Sequence, residues 1–335
     1  RAECYTTVGV SANPAAGGRQ HLDRGFDAFV EADALPQDSA EHVVDAALEL
    51  LQRVDAGREL FLWVHFMDPH FPYEPAETQQ AQPQAPECRR LLAEIGAGRL
   101  RMGHVEGDVM GFSSRALHDC TQLYDAEISN ADLQVGQLLD ALSTAGLTQG
   151  AYVLLTSDHG ENLGEDDFFY GHGPSLHDAA VHVPLIVTGP GIEGGSDPLP
   201  IRLEDVAPTL LGLLGLPLPA DLDGLDLSAR LQGRAARETT PIARIEAGSA
   251  LNVSYTKRIF SGRTHSRTCI HDERFSLCAF PGREAHLFDH ETDPFLETDV
   301  AEQHPQALQR LLESSRRWRP EQVRERALRD GRFKL

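Results

Sequence analysis

The 335-residue sequence lacks any long apolar run, and its most hydrophobic stretch, around Leu210 to Leu218, is interrupted by glycine and proline. A membrane-spanning helix needs about 18 consecutive apolar residues, so these residues predict no membrane span and we expect a soluble protein. Positive charge is also scarce, because 30 basic residues face 51 acidic ones and the formal net charge is −21. Nucleic-acid binding depends on basic patches that neutralise phosphates, so nucleic acid is excluded as a partner. An anionic substrate would need local positive charge, such as a metal ion.

Cysteines are few and lack metal-site spacing. The five of them are odd in number and contain no CxxC pair, which argues against a zinc site and against a complete disulfide framework. Cys269 and Cys278 could pair across a hairpin, but free thiols are the favoured interpretation. The first residues show no methionine, basic n-region or apolar h-region, so any targeting segment is absent or lies upstream. The compartment stays open, and export to the periplasm is one option.

The first part of the chain alternates strands and helices. Tyr5 to Val10 reads as a strand, Ser39 can cap a helix that runs through Leu51, and Phe61 to Phe66 reads as a second strand. This βαβ order predicts a parallel sheet with helices packed on it. Ala151 to Thr156 and Leu185 to Val187 read as further, buried strands.

One long amphipathic helix is predicted over Leu117 to Leu142, since apolar residues recur there every three or four positions, and Gly146 is placed to end it. Its acidic residues Asp125, Glu127 and Asp132 are interpreted as a solvated or capping face. The preceding stretch, about 76–114, is rich in Gln, Pro and Gly. We interpret it as a long loop with one short helix near 89–95. Long loops in compact domains often form lids or binding loops.

The composition turns polar and charged around Arg234 to Thr240, where we place a domain boundary. Residues 1–236 then form the main α/β domain, and residues 237–335 form a small C-terminal subdomain. Short alternating runs near Ile242 to Ile245, Arg274 to Phe280 and Ala285 to Phe288, together with 250–260, predict a small antiparallel sheet. A helix over about Pro305 to Trp318 can cover it.

Candidate site residues follow the predicted strands. Asp158 and His159 come directly after the Ala151 to Thr156 strand, at the sheet edge where ligands bind in α/β folds. A carboxylate beside an imidazole suits a divalent metal, although the pair could also be a turn cap and a solvated histidine. His172 lies thirteen residues after His159 between two glycines. His70 lies in MDPHFPYEP, whose prolines hold an extended loop at the same predicted edge; it too could be a surface histidine.

The longer strings resemble a known family. SDHGENLGE, followed by GHG and VHVPLIVTGPG, resembles the metal-binding segment of the sulfatase family within the alkaline phosphatase superfamily. FLWVHFMDPHFPYEP, LYDAEISNADLQVGQLLDAL, EDVAPTLLGLLGLPLPADLDGLDL and HLFDHETDPFLETDVAEQHPQALQRLL match in the family's order. The resemblance implies a mostly parallel sheet sandwiched by helices, with a small C-terminal α+β subdomain.

The resemblance also implies the site chemistry. Asp158 and His159 would hold one divalent metal, with calcium expected and manganese or zinc as alternatives. His70 would contact the sulfate or phosphate group, and His172 would bind the ester or protonate its leaving group. The substrate would be a small anionic ester.

The sequence departs from the family at the nucleophile. The family uses Cys-x-Pro/Ala-Ser-Arg, whose cysteine becomes formylglycine, and none of the five cysteines here is followed by that string. We therefore expect the nucleophile and the paired acidic metal ligands upstream of Arg1, and little turnover from these residues alone. The leading function is sulfate ester hydrolysis. The alternatives are a phosphodiesterase, phosphonate hydrolase or head-group transferase on the same scaffold, and a non-catalytic binding module.

Overall fold

The computed structural model describes residues 5–31, 35, 39–53, 58–75, 84–97, 103–104, 114–163, 168–172, 178–197, 200–234, 243–247, 267–279, 285–293 and 298–317. The chain divides into two compact units, Arg1–Val153 and Leu154–Leu335. The predicted domain boundary between residues 236 and 237 lies outside the described residues, so it stays a prediction. No described helix is long and apolar enough to cross a membrane.

The first unit is built on a parallel sheet. Strand β1 (Tyr5–Ser11) lies between β2 (Ala28–Glu31) and β3 (Glu59–His65), and both neighbours run parallel to it. Helix α1 (Ala40–Leu51) connects β2 to β3 and begins directly after Ser39. The predicted βαβ unit and parallel sheet are therefore confirmed, while β2 is a strand that the sequence pattern did not indicate.

The two faces of this sheet bury different side chains. On one face, Val8 and Val10 of β1 pack against the buried residues Val43 and Ala47 of α1, in a core that also includes Leu138. On the other face lie four aromatic rings with centroid separations between 5.2 and 6.1 Å, from Phe26, Phe29, Phe61 and Trp63. Alternation along the strands thus separates an aliphatic layer from an aromatic one.

Helices α2 (Pro86–Gly96) and α3 (Ser114–Thr144) are joined by a disulfide between Cys88 and Cys120. Both cysteines are fully buried. The buried Asp119 accepts the backbone N–H of Glu87 at 3.3 Å, which stabilises the start of α2 beside the disulfide. The free-thiol interpretation is wrong for this pair, because the fold brings together two cysteines 32 residues apart in sequence. A two-residue strand, β4 (Gly103–His104), lies between the helices in sequence.

The predicted long helix is confirmed as α3, and Gly146 follows its end with a φ of 74°, a left-handed conformation that favours glycine. The predicted face is partly wrong. Glu127 is 4% exposed, whereas Ile128, assigned to the apolar stripe, is 43% exposed. The helix is rotated relative to the expected orientation, and its buried residues include Ala116, Asp119, Cys120, Leu123, Glu127, Gln134 and Leu138.

From the boundary between the units onward, the described residues form four short strands and one short helix. They are β5 (Val153–Thr156), β6 (Asn162–Leu163), β7 (Phe168–Gly171), α4 (Asp178–Val181) and β8 (Leu185–Thr188). Strands β6 and β7 are antiparallel, and β5 pairs with β8 in a two-stranded sheet. The expectation that β5 and β8 are buried is wrong, since Leu155 is 37% and Ile186 60% exposed. A sheet of only two strands buries few of its own side chains, which accounts for this exposure.

After β8 the chain forms a 3₁₀ turn (Leu203–Asp205), α5 (Val206–Leu213) and α6 (Ser228–Leu231). Pro208 lies in the first turn of α5, as predicted, where its missing N–H costs nothing. Asp205 is fully buried and accepts hydrogen bonds from the Arg202 guanidinium and from the backbone N–H of Leu225. These hydrogen bonds hold Leu225, in the loop between α5 and α6, against the start of α5.

The C-terminal part contains the predicted antiparallel sheet. Its spatial order is β12 (His286–Asp289), β11 (Phe275–Ala279), β10 (Arg267–His271) and β9 (Ala243–Ala247). Helix α7 (Pro305–Arg317) covers it by packing Ala307 and Leu311 onto Ile270, Leu277 and Leu287. Strand β10 was missed by the sequence pattern, and the predicted run at 250–260 lies outside the described residues.

A second disulfide crosses this sheet. Cys269 of β10 and Cys278 of β11 are direct cross-strand partners and form a disulfide with their Cα atoms 4.1 Å apart. The hairpin pairing considered from the sequence is thus the observed arrangement, and the preference for free thiols is wrong here too.

A buried histidine lies next to that disulfide. His271 is 7% exposed, and its Nδ1 lies 2.7 Å from the Ser276 hydroxyl, which lies 3.0 Å from Nδ1 of His290. No described residue hydrogen-bonds Nε2 of His271. The pKa of His271 is lowered from 6.5 to about 4, chiefly by burial and also by His290 and His182, while Asp272 opposes the shift. The imidazole is therefore neutral in the folded protein at neutral pH.

We expect acid to destabilise the second unit through His271. Its folded pKa lies below the unfolded value, so the unfolded chain binds more protons as the pH falls from 6.5 through 4. Between pH 7.5 and 4.5 the free energy of unfolding should fall by about 2.5 kcal/mol from this group. Urea unfolding at several pH values measures it. A His271→Gln variant should show a correspondingly flatter profile, and a variant of the exposed His118, His118→Gln, should not; equal profiles in all three proteins would contradict the assignment.

Candidate active site

Asp158 and His159 lie in the tight loop that follows β5. The Ser157 hydroxyl donates to the backbone carbonyl of His159 at 2.6 Å, which closes the first turn of this loop. Gly160 then packs against α4, and its backbone N–H donates to the carbonyl of Ala180 at 2.8 Å. A Cβ atom at Gly160 would lie 2.0 Å from the carbonyl oxygen of Ala179, so only glycine allows this approach.

The two predicted metal ligands face one another. Oδ1 of Asp158 accepts the backbone N–H of His159 at 3.0 Å and lies 3.7 Å from Nε2 of the same residue. Nδ1 of His159 lies 2.8 Å from the carbonyl oxygen of Gly160. A carbonyl only accepts hydrogen bonds, so Nδ1 carries a proton and Nε2 is the ring nitrogen that faces the carboxylate. A backbone carbonyl that fixes the tautomer in this way is typical of metal-binding histidines.

These donors fit part of a metal site. A carboxylate oxygen and an imidazole nitrogen on one loop are ligand types that divalent cations accept. The side chains of Asp158 and His159 are 61% and 35% exposed, so an ion can reach them. Within the described residues no three His, Cys, Asp or Glu side chains group closely enough to hold a metal. Calcium takes six to eight oxygen ligands, so further ligands would have to complete the coordination.

His172 lies against this pair. Its ring stacks on that of His159 with the centroids 3.7 Å apart and an interplanar angle of 23°. Its Nδ1 lies 3.4 Å from Oε1 of Glu161, whose side chain is only 5% exposed. The structure therefore brings together three of the four predicted site residues, Asp158, His159 and His172, in the second unit.

Glu161 is a neighbour that the sequence reasoning did not single out. It lies two positions after His159 in the same SDHGE string, and that proximity was the available signal. Its carboxylate faces Nδ1 of His172 and so favours a ring orientation in which Nε2 points away from Glu161.

His70 belongs to the first unit, where it lies in the loop after β3. Its backbone N–H donates to the carbonyl of Met67 at 2.7 Å, and its Nδ1 lies 2.6 Å from the carbonyl oxygen of Phe71. Nδ1 therefore carries a proton that it donates to this carbonyl. Residues 67–75 form a loop without regular helix, as predicted, but the expectation that it is extended is wrong, because the hydrogen bond from His70 to Met67 closes a turn; the placement of His70 beside Asp158 stays a prediction.

Comparison with known proteins decides the family. The model of the family described as Sulfatase matches residues 10–216, well over half of the chain. The chain belongs to the sulfatase family. The match begins at the end of β1, includes His70 and the loop from Asp158 to His172, and ends just after α5. Sulfatase-family enzymes hydrolyse esters, so the chain is a member of a hydrolase family.

Curated relatives share part of this sulfatase-family chain. Arylsulfatase K from Xenopus laevis is 28% identical over 204 residues, which is 60% of this chain and 37% of that protein. A choline-sulfatase from Rhizobium meliloti is 27% identical over 260 residues, covering 74% of this chain and 47% of that protein. The chain thus spans less than half the length of either relative.

Solved structures share the fold of this sulfatase-family chain. A protein in complex with its substrate, D-glucosamine-2-N,6-O-disulfate, superposes with a TM-score of 0.67 at 17% identity, covering 94% of this chain and 80% of that one. A phosphonate monoester hydrolase from Agrobacterium radiobacter superposes with a TM-score of 0.64 at 24% identity, covering 93% and 77%. The predicted α/β, alkaline phosphatase-like fold is therefore confirmed.

Proposed function

We propose that the native protein containing this chain hydrolyses sulfate esters with the help of one divalent metal. The observation that carries the proposal is the cluster of Asp158, His159 and His172, with the two imidazoles stacked 3.7 Å apart beside a carboxylate. The family match and the relatives that are an arylsulfatase and a choline-sulfatase support sulfate as the ester.

Asp158 and His159 would hold the metal, with calcium as the expected ion and manganese or zinc as alternatives. When bound, the ion supplies Lewis acidity that stabilises negative charge on the ester oxygens as the bond breaks. Asp158 provides the anionic oxygen, and the Gly160 carbonyl holds His159 in the tautomer that a metal requires.

His172 is proposed to donate a proton to the leaving-group oxygen. Its Nδ1 faces the buried Glu161 at 3.4 Å, so Nε2 is the atom that can hold the transferable proton. His70 is proposed to donate an Nε2–H to an ester oxygen from a doubly protonated ring, because its Nδ1–H already donates to the Phe71 carbonyl. The substrate is a small anionic ester, and the neighbour bound to a sulfated glucosamine makes sulfated sugars the first class to test.

These residues do not supply a nucleophile of the Cys-x-Pro/Ala-Ser-Arg type. The proposal therefore requires another part of the native protein to provide it, and residues 1–335 expressed alone should turn over little substrate. Phosphonate or phosphate ester hydrolysis is the second candidate, since a phosphonate hydrolase has the same fold at a similar TM-score.

The test is a comparison of ester classes with the native protein. Aryl sulfate, aryl phosphonate and aryl phosphate esters are assayed with calcium, manganese, zinc or a chelator present. The proposal expects the highest kcat/KM for the sulfate ester and loss of turnover with the chelator. A higher kcat/KM for the phosphonate would favour the second candidate, and metal binding without turnover of any ester would favour a non-catalytic binding module.

A further inference from the structure

A buried carboxylate on α3 contacts the loop that carries His70. Glu127 is 4% exposed, and its Oε1 accepts the backbone N–H of Glu74 at 2.5 Å. The two residues are 53 positions apart in sequence, so this hydrogen bond ties the middle of a long helix to the loop after β3. Burying a carboxyl group is costly unless hydrogen bonds compensate, so the hydrogen bond with the Glu74 N–H stabilises Glu127 in its buried position as well as the loop.

Aromatic packing continues from the same helix face towards His70. Tyr124 lies one helical turn before Glu127, and its ring meets that of Tyr73 edge to face at 5.6 Å. Tyr73 is fully buried, and its ring in turn meets that of Phe71 at 5.5 Å. Two residues of α3 therefore contact two consecutive loop residues, since Tyr124 packs on Tyr73 and Glu127 hydrogen-bonds Glu74.

The loop segment 71–74 also orients the imidazole of His70, through the backbone carbonyl of Phe71. The ring Nδ1 of His70 donates to the backbone carbonyl of Phe71 at 2.6 Å. The backbone N–H of His70 donates to the backbone carbonyl of Met67 at 2.7 Å. Any displacement of the backbone at 71–74 moves the carbonyl that fixes the ring. The contacts thus run without a gap from Glu127 through Glu74, Tyr73 and Phe71 to His70.

We infer that Glu127 is a positioning residue that holds the 71–74 segment so that Nε2 of His70 is aimed at the ester. The inference rests on the proposed function, because it takes His70 as the residue that contacts the sulfate group. Glu127 does not itself touch substrate in this account; it acts through the Glu74 amide and the loop. Because the donor is a backbone N–H, the Glu127 side chain holds the path of the loop itself and not only a side chain on it.

The kinetic test uses variants of the native protein. Glu127→Ala removes the acceptor and should lower kcat/KM roughly 100-fold, the scale of an ångström-size misplacement of a reacting group. Glu127→Gln keeps an oxygen that can accept the Glu74 N–H and should recover activity to within roughly tenfold of wild type. Asp125→Ala, an exposed acidic residue of the same helix, is the matched control and should change kcat/KM less than about twofold.

A double-mutant cycle separates positioning from general weakening of the fold. In a His70→Ala background, Glu127→Ala should cost less than about threefold, because the residue it acts through is gone. An undiminished 100-fold loss in that background would overturn the inference. If Glu127→Ala fails to fold, Glu127→Asp keeps the charge but withdraws the oxygen by one methylene, and the same cycle is run with it.

An activity-independent measurement keeps this result apart from the proposed function. Nitrogen-15 spectra of labelled histidine report the tautomer of each ring, and the His70 signals are identified by their loss in His70→Ala. Wild type and Asp125→Ala should show one His70 ring state, with a hydrogen-bonded proton on Nδ1, and Glu127→Ala a mixture of ring states in which that hydrogen bond is partly lost. If no variant hydrolyses sulfate esters while this spectral change occurs, the proposed function fails and the positioning stands. Unchanged His70 signals in a folded Glu127→Ala protein would overturn the positioning, whatever the activity.

Discussion

Replacing Asp158 with asparagine should abolish metal-dependent sulfate ester hydrolysis by the native protein, lowering kcat/KM on the order of 1000-fold. Asparagine keeps the shape of the side chain and can still accept the His159 N–H that Oδ1 accepts at 3.0 Å. The substitution removes the negative charge that Asp158 places beside Nε2 of His159. Calcium affinity should fall by more than the roughly 10- to 100-fold that loss of an outer-shell partner costs.

Activity and calorimetric titration with calcium measure the two effects of Asp158→Asn separately. Glu193→Gln, which neutralises an exposed acidic residue in the same unit, is the control for the change in net charge and should behave as wild type. Wild-type calcium affinity in Asp158→Asn would show that the ion binds elsewhere, and the assignment of Asp158 as a ligand would then be wrong.

Removing the disulfide between α2 and α3 should produce the largest stability loss of any change considered. In the loop-closure account, a crosslink between residues 32 positions apart stabilises the fold by about 3 to 4 kcal/mol relative to the open chain. Cys88→Ala combined with Cys120→Ala should lower the free energy of unfolding by about that amount, since both side chains are fully buried and leave small cavities. Urea unfolding under non-reducing conditions measures the difference.

The second disulfide is the internal comparison. Cys269→Ala with Cys278→Ala opens a crosslink between residues only nine positions apart, for which the same account gives about 2 to 3 kcal/mol. Peptide mapping without reductant should recover Cys88 linked to Cys120 and Cys269 linked to Cys278. Since disulfides persist in oxidising compartments, we expect these species in protein exported during expression. Recovery of four free thiols would contradict both pairings.

Much of the fold was predictable because its signals are local. β1 and α1 follow from a β-branched run and from apolar residues at helical spacing, and Gly146 ends α3 where its left-handed φ requires a residue without a side chain. The residues Asp158, His159 and His172 were also found from the sequence, since their spacing in one motif matches a known family. Local pattern was sufficient wherever one segment decides the outcome.

The missed features depend on contacts between distant segments. The orientation of α3 was misjudged because apolar spacing favours a face with Ile128, whereas the loop at Glu74 needs an acceptor and buries Glu127. Disulfide partners cannot be chosen until the fold sets Cα distances, so Cys88 and Cys120 were not paired. Strand β2 is four residues long and gains its stability from pairing with β1, which its own sequence does not reveal.

The most direct measurement of the central claim is a crystal structure of the native protein grown with calcium and sulfate, the product of the proposed reaction. The account predicts a calcium ion 2.3–2.6 Å from a carboxylate oxygen of Asp158, with His159 beside it. We also expect a sulfate ion that accepts a hydrogen bond from Nε2–H of His172, beside that calcium. Calcium bound away from Asp158, or sulfate bound away from His172, would contradict the assignment.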